Sequence, residues 1–192
     1  MIETPRLFVA VPLDEAARAS VESLVDAVRA TEPEGGGVRW VRLEGAHITL
    51  RFLGPTPETR LSDVVTAIRA AAAASSPLRI RIAGAGSFPS RDRPRALWLG
   101  VTDGADGLAQ LAGRLDDGLV GAGWEREHRP FRAHLTLARA DGARSGPATV
   151  AALTAAAEGV AIDAAIDRIV LYESITGSGR ARYVSRAEAA LG

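Results

Sequence analysis

The tetrapeptide His47-Ile48-Thr49-Leu50 recurs as His134-Leu135-Thr136-Leu137, and an arginine follows each copy closely, at Arg51 and Arg139. The chain has three histidines, so two of them share one local sequence. Two such copies, far apart along the chain, indicate two related structural units.

Each copy has the pattern of a β-strand, in which residues i and i+2 share a face. The histidine and threonine of a copy therefore project together, and the two aliphatic residues pack into the core: His47 and Thr49 against Ile48 and Leu50, and His134 and Thr136 against Leu135 and Leu137. If the two units face each other, two imidazoles and two hydroxyls line one cleft.

The sequence around the motifs predicts alternating strands and helices. The predicted strands are residues 6–12, 38–43, 46–53, 78–82, 96–101 and 131–138, one within 162–171, and 182–186; residues 84–86 and 90–94 are predicted loops. The predicted helices end near residues 30, 74, 120 and 158, the first three capped by Asp14, Thr56 and Asp103 and the last starting at Ser145. We expect residues 38–53 to form a hairpin around Glu44-Gly45.

The predicted elements follow one order about twice, namely strand, helix, strand, strand, helix. This repeated order predicts an α+β fold. Short connections between paired strands favour mostly antiparallel sheet. We therefore expect one domain over residues 1–192, made of two pseudo-symmetric lobes with outer helices and a cleft between them.

Composition excludes several kinds of chemistry. The 192 residues include no cysteine, which removes disulfides, thiolate catalysis and cysteine-bound metals. All 23 basic residues are arginine, so Schiff-base lysines and a P-loop lysine are excluded as well. The net charge is zero, which argues against a general polyanion binder. Neither a secretory leader nor a membrane-spanning run is evident, and we expect a cytoplasmic protein that does not bind membranes.

Two imidazoles in one cleft favour acid–base chemistry, because such a pair can hold one neutral and one protonated ring near neutral pH. A symmetric reaction at phosphorus requires this combination, and threonine hydroxyls can donate to the phosphate oxygens. Zinc binding by the two histidines is a rival, but no third ligand motif accompanies them. No Gly-x-Ser-x-Gly motif supports a serine nucleophile. The third histidine, His128, lies in a charged segment typical of a solvated loop.

Substrate binding would have to use arginine. Strand parity places Arg132 on the face of His134 and Arg51 on the face of His47, so both are candidate ligands of a phosphate or a base, or alternatively solvated residues. Phe52 and Phe131 have the opposite parity and are predicted to lie in the core, with base stacking as the alternative.

At these residues the chain resembles the two-histidine phosphoesterases, specifically the RNA 2′,3′-cyclic phosphodiesterases also called 2′-5′ RNA ligases. The resemblance covers Arg6 to Val11, His47 to Gly54, Phe88-Pro89 with Arg95 to Val101, Phe131 to Arg139, and Leu171 to Ser174. It implies a bilobal fold with a water-filled cleft and metal-independent, cofactor-free hydrolysis of an RNA-terminal 2′,3′-cyclic phosphate to a 2′-phosphate. It also implies that His47 is the proton donor and His134 the proton acceptor, roles that the nearly symmetric motifs themselves leave open.

The predicted partners are RNA 3′ ends or small cyclic nucleotides, and we expect a monomer. Two alternatives stay open at this point. One is a binding module for RNA ends or nucleotides without catalysis; the other keeps the fold but ligates 2′-5′ RNA or cleaves small 2′-5′ linked nucleotides.

Overall fold

A computed structural model describes residues 4–31, 38–140, 146–175 and 181–192. The predicted chain break at residues 32–37 and the predicted helix start at Ser145 lie outside these ranges. Nine strands are described: β1 Arg6–Pro12, β2 Val38–Trp40, β3 His47–Pro55, β4 Leu78–Phe88, β5 Ala96–Asp103, β6 His134–Ala140, β7 Ala161–Ile166, β8 Arg168–Ile175 and β9 Arg182–Ala190. Four α-helices accompany them: α1 Glu15–Arg29, α2 Leu61–Ala73, α3 Ala105–Gly121 and α4 Gly146–Ala156.

The described strands form one antiparallel sheet in the order β7-β4-β5-β6-β3-β1-β8-β9, and β2 pairs with β6 beside this path. The sheet has two four-stranded halves, β7-β4-β5-β6 and β3-β1-β8-β9. Each half places its motif strand, β6 or β3, at the centre of the sheet. Chain order repeats too, since β1, α1, β3 and α2 are followed by β5, α3, β6 and α4. The predicted α+β fold with two related lobes is confirmed, with the two lobes joined in one continuous sheet.

The first helix forms as its sequence predicts. Asp14 accepts a hydrogen bond from the Ala17 backbone N–H at 2.9 Å, which satisfies a donor at the start of the helix. Its second carboxylate oxygen accepts from the Ala165 N–H at 2.7 Å and so ties α1 to β7. The Ala17 N–H is the largest cause of the lowered pKa of Asp14. The buried helix residues are those that the helical spacing predicts, Ala17, Val21, Leu24, Val25 and Val28.

One buried core joins the helices to one face of the sheet. It includes Ile48 and Leu50 of β3 and Leu135 and Leu137 of β6, as the alternation in the motifs predicts. The histidines and threonines have the opposite parity and lie on the face away from this core. None of the helices in the described ranges combines the length and apolarity that crossing a membrane requires.

The predicted hairpin over residues 38–53 is wrong. β2 pairs with β6, with Val38 opposite Ala140 and Trp40 opposite Ala138, and the chain then makes a short 3₁₀ turn at Leu43–Gly45 before β3. A two-residue hairpin turn of the favoured types needs a positive φ angle, which Gly45 does not adopt.

Two predicted helix caps are also wrong. Thr56 is buried and its hydroxyl donates to the Gly54 carbonyl, while a 3₁₀ turn at Glu58–Arg60 leads into α2. Asp103 belongs to β5, and Gly104, with φ at 76°, precedes α3 in its place. The left-handed backbone conformation at this junction favours glycine, so no side-chain cap stands there.

Several strand predictions need new limits, among them the last one, which runs to Ala190. β4 continues through the predicted loop residues 84–86 to Phe88, because Gly86 pairs with Trp98 of β5. The region 162–171 holds parts of two strands, β7 and β8. β6 begins at His134, so residues 131–133 precede the strand.

Candidate active site

The two motifs meet at the centre of the sheet. Ile48 of β3 lies opposite Leu135 of β6, and this is the one residue pair that joins the two strands in the described register. His47 directly precedes Ile48 and His134 directly precedes Leu135, so both histidines lie beside this junction on the face opposite the core. The two imidazoles therefore share the cleft face, one from each half of the sheet.

Both imidazoles are held in the same way. Nδ1 of His47 lies 2.6 Å from the Gly45 carbonyl oxygen, and Nδ1 of His134 lies 2.6 Å from the Arg132 carbonyl oxygen. Because a carbonyl oxygen only accepts, each Nδ1 carries the proton and donates it. Each neutral ring therefore has a free lone pair on Nε2, the atom that can take up or deliver a proton.

Aromatic rings surround both histidines. The His47 ring centroid lies 4.9 Å from that of Phe8 and 5.0 Å from that of Tyr183, and Tyr172 is next at 5.7 Å. His134 contacts Phe88 edge to face at 5.1 Å, with Trp98 at 6.4 Å.

Both rings are partly buried among these side chains, which lowers their pKa values because an imidazole removed from water loses hydration of its charged form. The carbonyl hydrogen bonds act in the opposite direction, and the positive charge of Arg139 lowers both pKa values further. The free protein therefore favours two neutral rings at pH 7.

Thr49 and Thr136 are partly exposed on the cleft face. Neither hydroxyl has a hydrogen-bond partner within the described ranges. Both remain available to a ligand bound between the imidazoles.

A β-bulge in each motif strand changes which residues face the cleft. In β3, Thr49 lies opposite Ala10 but Arg51 lies opposite Val9, so Leu50 is an extra residue. In β6, Thr136 lies opposite Trp98 but Ala138 lies opposite Leu97, so Leu137 is the extra residue. One extra residue reverses the alternation beyond it. The cleft residue after the threonine is therefore Phe52 in β3 and Arg139 in β6.

The prediction that Arg51 shares the face of His47 is therefore wrong. Its side chain is 11% exposed and forms ion pairs with Asp116 at 3.2 Å and Glu127 at 2.9 Å. A further hydrogen bond joins its guanidinium to the Glu125 carbonyl. Arg51 thus ties β3 to α3 and to the segment that leads into His134.

Phe52 and Arg132 also lie elsewhere than predicted. Phe52 is 60% exposed and forms a row with Phe8 and Tyr172, with ring centroids 6.0 and 5.4 Å apart. Arg132 precedes β6, so strand parity does not apply to it; its side chain is exposed while its carbonyl positions His134. Phe131 is partly buried and packs against the core, as predicted.

Arg139 is the cleft residue that strand parity misses. It is exposed, has no ion-pair partner in the part of the chain that the structure describes, and acts electrostatically on both histidines. Arg139 lies five residues after the motif histidine, an odd spacing that strand alternation assigns to the core face. Only the bulge at Leu137 places it on the cleft face. Among the described residues, no group of three His, Asp or Glu side chains is suited to hold a metal ion.

Comparison with known proteins agrees with the family resemblance of the two motifs. The family model described as the 2′-5′ RNA ligase superfamily matches residues 12–177. A Geobacillus stearothermophilus protein named RNA 2′,3′-cyclic phosphodiesterase is 34% identical over 69% of this chain and 41% of its own length. A protein of the same name from Aeropyrum pernix is 38% identical over 60% of this chain and 65% of its own. The chain thus spans less than two thirds of these two relatives.

A solved structure shares the fold over nearly the whole chain. Escherichia coli LigT complexed with 3′-AMP has a TM-score of 0.74 and 26% identity, covering 97% of this chain and 98% of its own.

Proposed function

The chain belongs to the 2′-5′ RNA ligase superfamily, and we propose that it hydrolyses an RNA-terminal 2′,3′-cyclic phosphate to a 2′-phosphate by acid–base catalysis. The observation that carries this proposal is the matched pair of imidazoles, each fixed through Nδ1 with Nε2 free, on either side of the Ile48–Leu135 junction. The names of the two curated relatives, RNA 2′,3′-cyclic phosphodiesterase, support opening of the cyclic phosphate.

In the proposed reaction, Nε2 of His134 takes a proton from water as the water oxygen attacks phosphorus. The bond from phosphorus to the 3′ oxygen breaks, and Nε2 of His47 protonates that oxygen. The phosphate stays on the 2′ oxygen, and proton exchange with water restores both rings. Each imidazole should contribute about 10² to 10⁴ in rate.

The imidazole that donates the proton must be charged, although burial favours the neutral form of both histidines in the free protein. A cyclic phosphate bound between them is an anion, and an anion within a few ångströms raises the pKa of a neighbouring imidazole. The substrate itself would thereby favour protonation of one ring.

Other cleft residues would bind the substrate. The Thr49 and Thr136 hydroxyls can donate to the non-bridging oxygens, and the Arg139 guanidinium can offset their growing charge. The exposed Phe52 ring offers the terminal base a stacking surface.

The test is incubation with cyclic-phosphate-ended RNA in EDTA, followed by identification of the phosphate position in the product. His47→Ala and His134→Ala should each lower kcat by at least about 10². His128→Ala is the matched control, because His128 is exposed and lies outside both motifs. Near-wild-type turnover by both motif variants would end the proposal. Tight nucleotide binding without turnover by the wild type would favour the binding-module alternative.

A further inference from the structure

Two arginines face each other across the pairing of β2 with β6. Arg39 lies directly opposite Arg139, and residues opposite each other in an antiparallel pair share a face of the sheet. The next pair, Trp40 and Ala138, is buried in the core, so the arginine pair lies on the cleft face. Both arginines are exposed.

Like charges directly opposite each other destabilise a sheet. Two arginines elsewhere in this sheet have acidic partners: Arg81 contacts Asp163 at 2.8 Å, and Arg186 contacts Glu173 at 2.6 Å. Arg39 and Arg139, in contrast, form no ion pair with any described residue. Two unneutralised guanidinium groups side by side are suited to bind an anion, and their planar forks favour phosphate.

The pair extends outward from the candidate active site. Along β6 the cleft face carries His134, Thr136 and then Arg139, and Arg39 lies one strand beyond Arg139. β2 and β3 pair with the same edge of β6, so Arg39 lies on the side of the cleft where His47 begins β3. A ligand that contacts both imidazoles and Arg139 would reach Arg39 with its next charged group.

We propose that Arg39 binds the phosphodiester on the 5′ side of the nucleotide that carries the cyclic phosphate. The protein then selects RNA ends over free cyclic mononucleotides, because a mononucleotide has no phosphate to place there. This inference rests on the proposed function and names its substrate class.

The test compares three substrates that end in the same 2′,3′-cyclic phosphate: a mononucleoside, a dinucleotide, and a dinucleotide whose internal linkage is an uncharged methylphosphonate. For the wild type, we expect kcat/KM to be about tenfold to a hundredfold higher on the charged dinucleotide than on either of the others. Arg39→Ala should bring this ratio close to one, and Arg39→Lys should restore part of it, since lysine keeps the charge without the fork. Arg69→Ala is the control, because Arg69 is exposed on α2, away from the cleft face.

Two further measurements separate this inference from the proposed function. Calorimetric binding of the product dinucleotide needs no turnover, and its Kd should rise about tenfold or more in Arg39→Ala. The association constant of the same variant should depend less steeply on salt, with the magnitude of the slope of log K against log salt concentration smaller by about 0.7. The melting temperature should stay equal or rise, because a like-charge pair is relieved.

A wild type that turns over none of the substrates would refute the proposed function and leave the binding measurement to decide on Arg39. An unchanged substrate ratio in Arg39→Ala, or an unchanged Kd, would overturn the inference.

Discussion

Replacing Arg51 with alanine should destabilise the protein strongly, because its guanidinium neutralises a carboxylate that stays buried without it. The Arg51 and Asp116 side chains are each 11% exposed, and the remaining ion-pair partner of Asp116, Arg126, is itself 51% exposed. Breaking a buried ion pair costs about 3 kcal/mol. For a domain of this size, that loss lowers Tm by about 6 to 12 °C.

The same variant should also slow catalysis without impairing substrate binding. Arg51 anchors Glu127 and the Glu125 carbonyl, and this segment continues to Arg132, whose carbonyl holds His134. A looser segment leaves His134 less well oriented, so kcat should fall while KM changes little.

Thermal unfolding and steady-state kinetics on a cyclic nucleotide measure both effects. Arg18→Ala is the matched control, since Arg18 pairs with Glu22 at 2.8 Å on a partly exposed face of α1 and its loss should cost about 0.5 kcal/mol or less. An Arg51→Ala protein with wild-type Tm and a raised KM would refute this reasoning and return Arg51 to the role of a substrate ligand.

Three other outcomes are expected. The pH profile of kcat/KM should be bell-shaped with its maximum below pH 6.5, because the pKa values of His47 and His134 are both lowered in the free protein; a maximum above pH 7 would contradict this. The free energy of unfolding should fall as pH decreases through 6.5, because the histidines of the unfolded chain then bind protons more readily than those of the folded chain. Denaturant titrations of His47→Gln should show a smaller decrease over the same pH range. Gly86→Ala should lower activity, because its Cβ would lie 2.6 Å from the Trp98 indole and displace that ring from His134; Gly113→Ala, with open space at its Cβ, is the control and should keep full activity.

The sequence predicts those features that depend on local pattern. Burial of Ile48 and Leu135, the Asp14 cap and the buried face of α1 all follow from the alternation and helical spacing of nearby residues. The repeat also predicts that the two motifs line one cleft if the two units face each other, whereas the direct pairing of β3 with β6 is seen only in the structure.

Errors arise where a single residue changes the geometry. The bulges at Leu50 and Leu137 reverse strand parity, which moves Arg51 into an ion-pair cluster and brings Phe52 and Arg139 to the cleft. Nothing in the alternation of residue types marks a bulge, since an aliphatic residue fits either register. The predicted hairpin fails for a related reason: β2 pairs with β6, about a hundred residues further along the chain, and local turn signals do not report such pairings.

The two carbonyl oxygens that hold the imidazoles belong to the main chain. No point substitution can delete such an acceptor, whereas an enzyme that orients its histidine with a carboxylate loses that group in a single codon change. The side chain at Arg132 can therefore vary for as long as the path of the backbone is kept, whereas any side chain at Gly45 would place its Cβ 3.3 Å from the Tyr183 ring. A search for a third polar side chain beside each histidine would overlook this support altogether, because it is encoded in the course of the polypeptide and not in the identity of any residue.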